Sequence, residues 1–367
     1  MKTYKNKLYI LKGEKKLMAK ERIFDLTETK GQFQLKGIVV GTKSDKFYKE
    51  IKTKTNKDMK KLNFGATYAE DKTLYLNMQG MEQEKVYFSK KSEEKGKKGE
   101  TVSVSWAERF TYNREGFKLI GKNIGVRKKV DKDGKEVNDK KVLTEFDACK
   151  EIAENLRDGQ SVFIRGKIDF SSMVDDNGNK KHFTKLIPDQ VSLCGEVNFK
   201  DEKFEQQNDF NQVIVFMGID KEKDDNDKET GRFIIQAKIV TYKTIEDVEF
   251  IVEDSKLASL FRKNLKPYNA IKVNGHMVTS TSVQEVEDTD SWGEEDAMEK
   301  VDAPTKREFI ITGAKPSTID TTVYNKENIE EAIEKINRAN RAENDFGNEN
   351  NDWGDSSLDT EDDEAWD

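Results

Sequence analysis

Few residues of this 367-residue chain are of the types that carry out catalysis. Histidine and cysteine occur twice each, as His182, His276, Cys149 and Cys194. Neither histidine stands in an acid-rich metal-binding spacing, and two cysteines make neither a disulfide framework nor a cysteine-based zinc site. The sequence also lacks a phosphate-binding Gly-rich loop and a nucleophile elbow. We therefore expect no enzyme, no catalytic residue, no cofactor and no metal.

Cations and aromatic rings, in contrast, alternate through the first half of the chain. Lysines and arginines bind phosphates, and aromatic rings stack on unpaired bases, so this combination is typical of proteins that bind single-stranded nucleic acid. The candidate DNA-binding residues are Lys43, Lys46, Phe47, Tyr48, Lys49, Lys52, Lys54, Phe88, Trp106, Arg109, Tyr112, Arg114, Arg127 and Lys128.

Charge is distributed unevenly along the chain. The formal net charge is −7, yet residues 1–150 alone carry +15, whereas residues 201–284 carry −3. Eleven carboxylates lie between Glu343 and Asp367, with no lysine or arginine after Arg341. A basic front and an acidic, aromatic-tipped end indicate a nucleic-acid binder that also recruits proteins. The candidate partner-binding residues of the tail are Asp362, Asp363, Glu364 and Trp366.

Period-2 alternation of apolar residues predicts strands in the first 200 residues. The predicted strands cover 33–43, 62–68, 74–78, 101–106, 117–126, 161–170 and 182–194. Asn177-Gly178 predicts a hairpin turn between the last two. One helix is expected after Thr144, which can cap it, with Asp147 as the partner three residues later.

The same order of elements returns in residues 210–313. Strands are predicted over 213–218, 233–240, 248–252, 270–280 and 307–312, with a helix capped by Asp254. LRDGQSVFIRGKI (156–168) aligns without gaps on LKPYNAIKVNGHM (265–277), so that Gly166 matches Gly275. A duplicated unit explains this agreement better than chance.

Three strands, a helix and two more strands is the order of the OB-fold, a small Greek-key barrel that binds oligonucleotides. We therefore predict a mainly β protein with two such barrels, each with one helix between strands 3 and 4. Another small five-stranded barrel or an α+β sandwich is the alternative. The expected parts are an N-terminal arm (1–30), a first barrel (31–198) with a long insertion (80–143), a second barrel (208–315), an amphipathic helix (326–341) and a disordered acidic tail (342–367).

The amino acids of residues 12–17 can be encoded by a purine-rich DNA stretch of the kind that precedes a bacterial start codon. We therefore expect Met18 to be the true start; the alternative is a short basic N-terminal arm. No apolar run approaches the ~20 residues of a membrane span, and no signal peptide is present. Both observations predict a cytoplasmic protein without a membrane partner.

Four segments of the sequence resemble a known family: FDLTETKGQFQLKGIV (24–39), TEFDACKEIAENL (144–156), IPDQVSLCG (187–195) and KNLKPYNAIKVNGH (263–276). The chain is similar to the tandem-OB single-stranded DNA-binding proteins of phages and prophages of low-GC Gram-positive bacteria. This resemblance implies a protein that coats single-stranded DNA in replication, recombination or repair, in the cytoplasm of the host cell.

The resemblance also implies that the acidic tail docks onto replication and recombination enzymes. In the family the last aromatic residue carries the free carboxylate, whereas here Asp367 follows Trp366, which makes a phage-specific partner as plausible as the usual host ones. Further copies of this chain are an additional partner class. Two alternatives stay open: an RNA- or duplex-binding OB protein, and a protein-binding scaffold without nucleic acid.

Overall fold

The computed structural model describes residues 22–53, 55–94, 97, 99–174, 180–224, 226–281 and 305–346. The protein is mainly β, as predicted, and three α-helices accompany the strands within these residues. In the first half the elements are β1 (Gly31–Val40), β2 (Tyr48–Lys52), β3 (Asp58–Ala69), β4 (Lys72–Met81), β5 (Lys85–Lys90), β6 (Glu100–Ser105), a 3-10 turn (Trp106–Glu108), β7 (Lys118–Leu119), β8 (Lys122–Gly125), β9 (Lys128–Val130), β10 (Glu136–Asn138), β11 (Lys141–Leu143), α1 (Glu145–Asn155), β12 (Ser161–Val174) and β13 (Lys180–Leu193).

The second half has fewer and longer strands. Its elements are β14 (Asn208–Lys223), β15 (Glu229–Val240), β16 (Ile245–Val252), α2 (Ser255–Asn264), β17 (Asn269–Thr281), β18 (Thr305–Asp320) and α3 (Lys326–Phe346). The helix predicted over 326–341 thus extends to Phe346, into the segment expected to be disordered. Ala342 and Glu343 are good helix formers, and the first glycine after them is Gly347.

Five strands and α1 make up what we call unit one: β1, β3, β4, β12 and β13. Strand β1 pairs antiparallel with both β3 and β12, β3 pairs with β4, and β12 pairs with β13. Strand β8, from the insertion between β4 and α1, adds a parallel partner to the outer edge of β13.

Unit two consists of β14, β15, β16, α2, β17 and β18. Strand β14 pairs with β15 and β17, β15 with β16, and β17 with β18, all antiparallel. Ile251 of β16 lies opposite Ile310 of β18 in a parallel pair, which closes the circle of five strands. The order of pairing around this circle is therefore first, second, third, fifth, fourth.

Side chains cap the two short helices as the sequence predicts. Thr144 Oγ1 accepts from the backbone N–H of Asp147 at 3.2 Å, and Asp254 Oδ1 accepts from that of Lys256 at 2.7 Å. Such caps satisfy N–H groups that have no partner inside the helix. Buried Ala148, Cys149 and Ile152 then place α1 against the core. Burial raises the pKa of the Cys149 thiol to about 12, whereas Cys194 is only partly buried.

The two units repeat each other residue by residue. Phe33 lies opposite Gly166, and Phe210 lies opposite Gly275. A register shift occurs at each glycine, and a Cβ there would overlap a backbone carbonyl oxygen, that of Ile187 beside Gly166. The glycine that the sequence alignment matches therefore has the same role in both copies. It lets the backbones of two neighbouring strands pack closely together.

The units join along β1 and β14, which pair antiparallel from Gly31↔Gln212 to Leu35↔Asn208. We call this pairing the seam. Four phenylalanines from both sides of it pack together, with ring centroids 5.2–6.4 Å apart: Phe170, Phe210, Phe250 and Phe309. One continuous hydrophobic core therefore runs through both units.

Arg307 of unit two also reaches into unit one. Its guanidinium donates to the backbone oxygens of Thr184 on β13 (2.8 Å) and Tyr75 on β4 (3.3 Å). No backbone pairing between β4 and β13 occurs in the described chain, so the Arg307 side chain links these two strands. Enclosure of the guanidinium lowers its pKa to about 10, and its Nε is buried without a partner in the described structure.

The N-terminal segment and α3 form a second, smaller core on unit two. Phe24 and Leu26 pack there with Ile329, Ala332 and other residues of the helix. The Tyr324 hydroxyl donates to the backbone oxygen of Thr27 at 3.1 Å. Among the described helices, none is long and apolar enough to cross a membrane. The expected hairpin turn at Asn177-Gly178 and the alternative start at Met18 lie outside the described residues.

Candidate nucleic-acid interface

The loop between β1 and β3 carries the first group of candidate residues. Lys43 is exposed there, whereas Phe47 is buried in the core with 6% of its surface exposed. An enclosed ring offers no face to a base, so this prediction was wrong; Phe47 instead packs the loop against the core. Lys54 lies outside the described residues.

Strand β2 places its candidates on two different sides of the sheet. Tyr48 is paired with Leu62 and therefore points toward the core, and its hydroxyl donates to Glu50. Burial, followed by this bond, raises the pKa of Tyr48 well above its usual range. Lys52, on the same side by alternation, binds Asp58 at 2.7 Å. Lys49 alternates with these residues and faces outward.

The aromatic candidates of the insertion form a small core of their own. Phe88 is 5% exposed and packs with Val86 and Val104, and the ring of Tyr112 lies 4.6 Å from that of Phe88. Phe88 is thus enclosed and is not a stacking surface, contrary to the prediction. A segment of this length between β4 and α1 needs apolar residues to order it, and Phe88 serves that purpose.

Trp106 and Arg109 attach the insertion to α1. The Trp106 ring meets the Phe146 ring edge-on at 5.8 Å, and Arg109 binds Asp147 through Nε and Nη2, at 2.8 and 3.1 Å. The guanidinium also lies over the Trp106 ring at 4.2 Å. Trp106 and Arg109 thus contact residues in the first turn of α1, which lies on the core side of the β3–β4 sheet. They therefore do not share a trough with the outward-facing Lys49.

The last three candidates lie at the surface of the insertion. Arg114 forms an exposed ion pair with Glu100 at 3.3 Å and lies over the Phe117 ring. Arg127 precedes β9 and Lys128 is its first residue, and both are exposed. The predicted residues therefore do not form one site. Some lie in the loop between β1 and β3, some are buried, and the rest lie in the insertion.

A different surface gathers the required residue types: the outward-facing side of β3 and β4. Alternation with the buried Leu62, Phe64, Leu74 and Leu76 points the intervening residues outward. We call this surface the outer face of unit one; its residues are Met59, Lys61, Asn63, Gly65, Thr67, Thr73, Tyr75, Asn77, Gln79 and Met81. All of them are neutral or positively charged.

Cross-strand pairs arrange the outer face in rows. Lys49 lies directly opposite Lys61, and Gly65 lies opposite Tyr75. This row therefore places two positive charges at one end of the face, where they attract anions. From the Lys49–Lys61 row to the Thr67–Thr73 row the face extends about 20 Å, at ~3.4 Å per residue.

Tyr75 occupies the middle of this face. It is half-buried, and burial raises the pKa of its hydroxyl. A Cβ on Gly65 would lie 3.2 Å from Cε1 of Tyr75, so the glycine leaves room for the ring to lie across the neighbouring strand. Arg307 donates to the backbone oxygen of the same residue at 3.3 Å.

An amide network connects the outer face to the predicted loop. Asn77 Nδ2 donates to Asn63 Oδ1 at 2.9 Å, and Asn63 Nδ2 donates to the backbone oxygen of Lys46 at 3.3 Å. The loop that carries Lys43 and Lys46 therefore borders the outer face. Of the predicted residues, Lys46 touches the outer face through its backbone oxygen and Lys49 lies opposite Lys61, while Lys43 is exposed in the same loop.

The sequence prediction did not include the outer-face residues, because they lie in strands and most of them are uncharged. A signal was nonetheless present in the sequence. The alternation of Leu74, Leu76 and Met78 predicts that Tyr75 and Asn77 project from the opposite side of the strand. Only the pairing of β3 with β4 shows that this side faces outward.

The duplication allows the two units to be compared position by position. In unit one Val39 lies opposite Ala66, and Ala66 lies opposite Leu74. The equivalent positions in unit two are Phe216, Ala237 and Val248. The separation along the chain from Val39 to Phe216 equals that from Phe33 to Phe210, which supports the alignment.

This alignment places carboxylates where unit one has uncharged side chains. Tyr75 corresponds to Glu249, and Thr73 corresponds to Asp247. Both carboxylates are exposed, and Asp247 binds Lys238 at 2.5 Å. The equivalent surface of unit two is therefore self-paired and acidic at its centre, and it would repel phosphates.

Together, the fold and the site define a mainly β protein in which one face of the sheet carries both lysines and a tyrosine ring. The chain belongs to the YorF family, whose model matches residues 91–349. No curated protein matches the sequence.

The solved structures that are similar to the chain include two at 10% identity. The wild-type single-stranded DNA binding protein from Thermus aquaticus has a TM-score of 0.37, covering 79% of this chain and 93% of that one. A deletion variant of the same protein has a TM-score of 0.36, covering 78% and 94%. The tail residues Asp362, Asp363, Glu364 and Trp366 lie outside the described residues.

Proposed function

We propose that this protein binds single-stranded DNA without sequence preference, on the outer face of unit one. The observation that carries the proposal is the contrast between the two units. At equivalent positions unit one presents Tyr75 among amides and lysines, whereas unit two presents Glu249 and Asp247. A ring for stacking and cations for phosphates are the two components that sequence-tolerant binding requires.

We infer further that each unit is an OB barrel. The pairing order of unit two and the helix between its third and fourth strands support this assignment. In an OB barrel the face of the second and third strands and the loop between the first two strands bind oligonucleotides. In unit one these are the outer face and the loop that carries Lys43, Lys46 and Lys49.

On this proposal the protein acts as a coat on unpaired DNA and not as an enzyme. Recruitment of replication or recombination enzymes by the acidic tail, and a role in a phage, are further parts of the proposal. They are supported by the charge of residues 343–367 and by the sequence resemblance. Deleting residues 343–367 should strengthen DNA binding at low salt and weaken capture of partner enzymes, because the tail competes for the same cations.

Competition binding tests the central proposal. A fluorescein-labelled oligo-dT is bound at low salt and displaced with unlabelled oligo-dT, with an RNA of equal length, or with duplex DNA. We expect oligo-dT to displace the probe at the lowest concentration. The outer face binds bases that are free to leave their neighbouring bases and stack on a protein ring. Preferential displacement by RNA or duplex would assign the alternative ligand. Absence of any binding would leave a protein-binding scaffold.

A further inference from the structure

The seam carries a second polar concavity that the proposed DNA face does not use. Six strands run continuously across both units in the order β13, β12, β1, β14, β17 and β18. Their solvent side encloses a cavity of about 360 Å³, which we call the seam basin. Its charged lining residues are Arg165, Asp209, Lys272 and Lys315, and the rest of its polar lining consists of amide, hydroxyl and imidazole side chains. Side chains of both units therefore form one site.

Positive charge dominates the lining. Arg165, Lys272 and Lys315 are permanent cations, and within the described part of the chain none of them forms an ion pair. Arg165 donates to the neutral Gln32 Oε1 at 3.1 Å. Three like charges around one cavity repel one another, and a bound anion removes that repulsion.

The single carboxylate of the basin is already engaged. Asp209 Oδ2 accepts from Gln34 Nε2 at 2.9 Å, and Asp209 Oδ1 lies 3.1 Å from His276 Nδ1. Its charge is thus held on the floor of the basin by neighbours that are not the three cations. The cations and the amide groups of Asn211 and Asn274 are left for a ligand.

These cations are not a by-product of the duplication. Arg165 directly precedes Gly166, and the equivalent residue before Gly275 is Asn274. Lys272 and Lys315 come from the other unit, at positions with no cation in unit one. The basin therefore became cationic through different residues in the two copies.

We propose that the seam basin binds phosphate groups. An arginine fork binds two phosphate oxygens at once, and lysines add point charges. Three formal positive charges match a polyphosphate or successive phosphodiesters better than a single carboxylate. The ligand could be free phosphates, as in a nucleotide, or the backbone of a DNA strand that continues from the outer face.

Tripolyphosphate is the probe that tests the basin without DNA. Its affinity is measured by titration calorimetry and by the rise in melting temperature of the full-length protein. The test variant is Lys272→Ala with Lys315→Ala, and the matched control is Lys256→Ala with Lys263→Ala, two exposed lysines of α2. We expect the test variant to bind about tenfold more weakly or worse, and the control to equal wild type.

Equal binding by the test variant and wild type would overturn the proposal, as would equal losses in test and control variants. If the double variant melts early without ligand, Arg165→Gln provides an independent removal of one basin cation. A peptide of residues 355–367 serves as the carboxylate competitor. Basin-dependent binding of that peptide but not of tripolyphosphate would show a carboxylate site and refute phosphate binding.

Oligo-dT of two lengths distinguishes the sources of phosphate. If the basin holds a DNA backbone, the test variant should lose affinity for a long oligonucleotide and retain it for one that covers only the outer face. If the test variant loses affinity for tripolyphosphate alone, the ligand is a free phosphate compound. Because tripolyphosphate contains no base, failure of the proposed DNA function would leave this result standing.

Discussion

Replacing Tyr75 by alanine is the sharpest test of the outer face. The ring is half-buried at the centre of the face and lies across Gly65, so it offers one flat surface to a base. Stacking on an aromatic residue contributes roughly 1–3 kcal/mol per base. Tyr75→Ala should therefore weaken oligo-dT binding by about 5- to 160-fold. No charge is removed, so the dependence of affinity on salt should stay unchanged.

Fluorescence anisotropy of labelled oligo-dT at two salt concentrations measures both quantities. Tyr75→Phe keeps the ring and should stay within about twofold of wild type. Tyr75→Glu introduces the residue of unit two and should weaken binding more than alanine does, because it adds repulsion to the loss of stacking. Tyr242→Ala, which removes a half-exposed ring from unit two, is the matched control.

The reasoning would be refuted if Tyr75→Ala bound DNA as tightly as wild type while remaining folded. It would also be refuted if Tyr242→Ala weakened binding to the same extent. Melting curves of each variant without DNA separate a loss of stacking from a loss of structure. This control is needed because burial of the ring also contributes to stability.

Three further predictions concern charge. Lys61→Ala should reduce the slope of log K against log salt by about 0.7, the value for one lost phosphate contact on a single strand. Arg109→Ala should lower the free energy of unfolding by about 2–4 kcal/mol, because Asp147 loses two charge-assisted bonds, and should leave DNA affinity unchanged. Asp169→Asn should raise the melting temperature at neutral pH, because burial raises the pKa of that carboxyl and its ionisation opposes folding.

Each of these has its own measurement. A salt titration of Lys61→Ala with an unchanged slope would remove this lysine from the interface. If folded Arg109→Ala lost DNA affinity, the insertion would be part of the binding site, as predicted from the sequence. For Asp169→Asn, the advantage should fade as pH falls below the usual aspartate pKa, where both forms are neutral. An advantage that is constant with pH would mean that packing, and not ionisation, is responsible.

The sequence by itself determined much of the local structure. Alternation of apolar residues located most of the long strands, and Thr144 and Asp254 marked the starts of the two short helices. The gapless match of Gly166 with Gly275 revealed the duplication. These signals are local, since strand period, helix caps and close backbone contacts depend on neighbouring residues.

Tertiary structure decided which residues are accessible. Phe47 and Phe88 stand among lysines in the sequence, as exposed stacking rings would, yet each is enclosed by residues distant along the chain. Neighbours in sequence cannot show this, because burial depends on which surfaces meet. Tyr75 became visible as a candidate only when β3 and β4 paired with their polar side outward.

The seam likewise belongs to the tertiary structure alone. Two separate barrels were expected, and nothing in the periodicity of β1 or β14 specified that they would pair with each other. An edge strand presents unpaired N–H and C=O groups, and the complementary edge of the second copy satisfies them. The sequence thus determined the repeated unit, and the pairing of its edges brought Arg165 to Lys272 and created the basin between the copies.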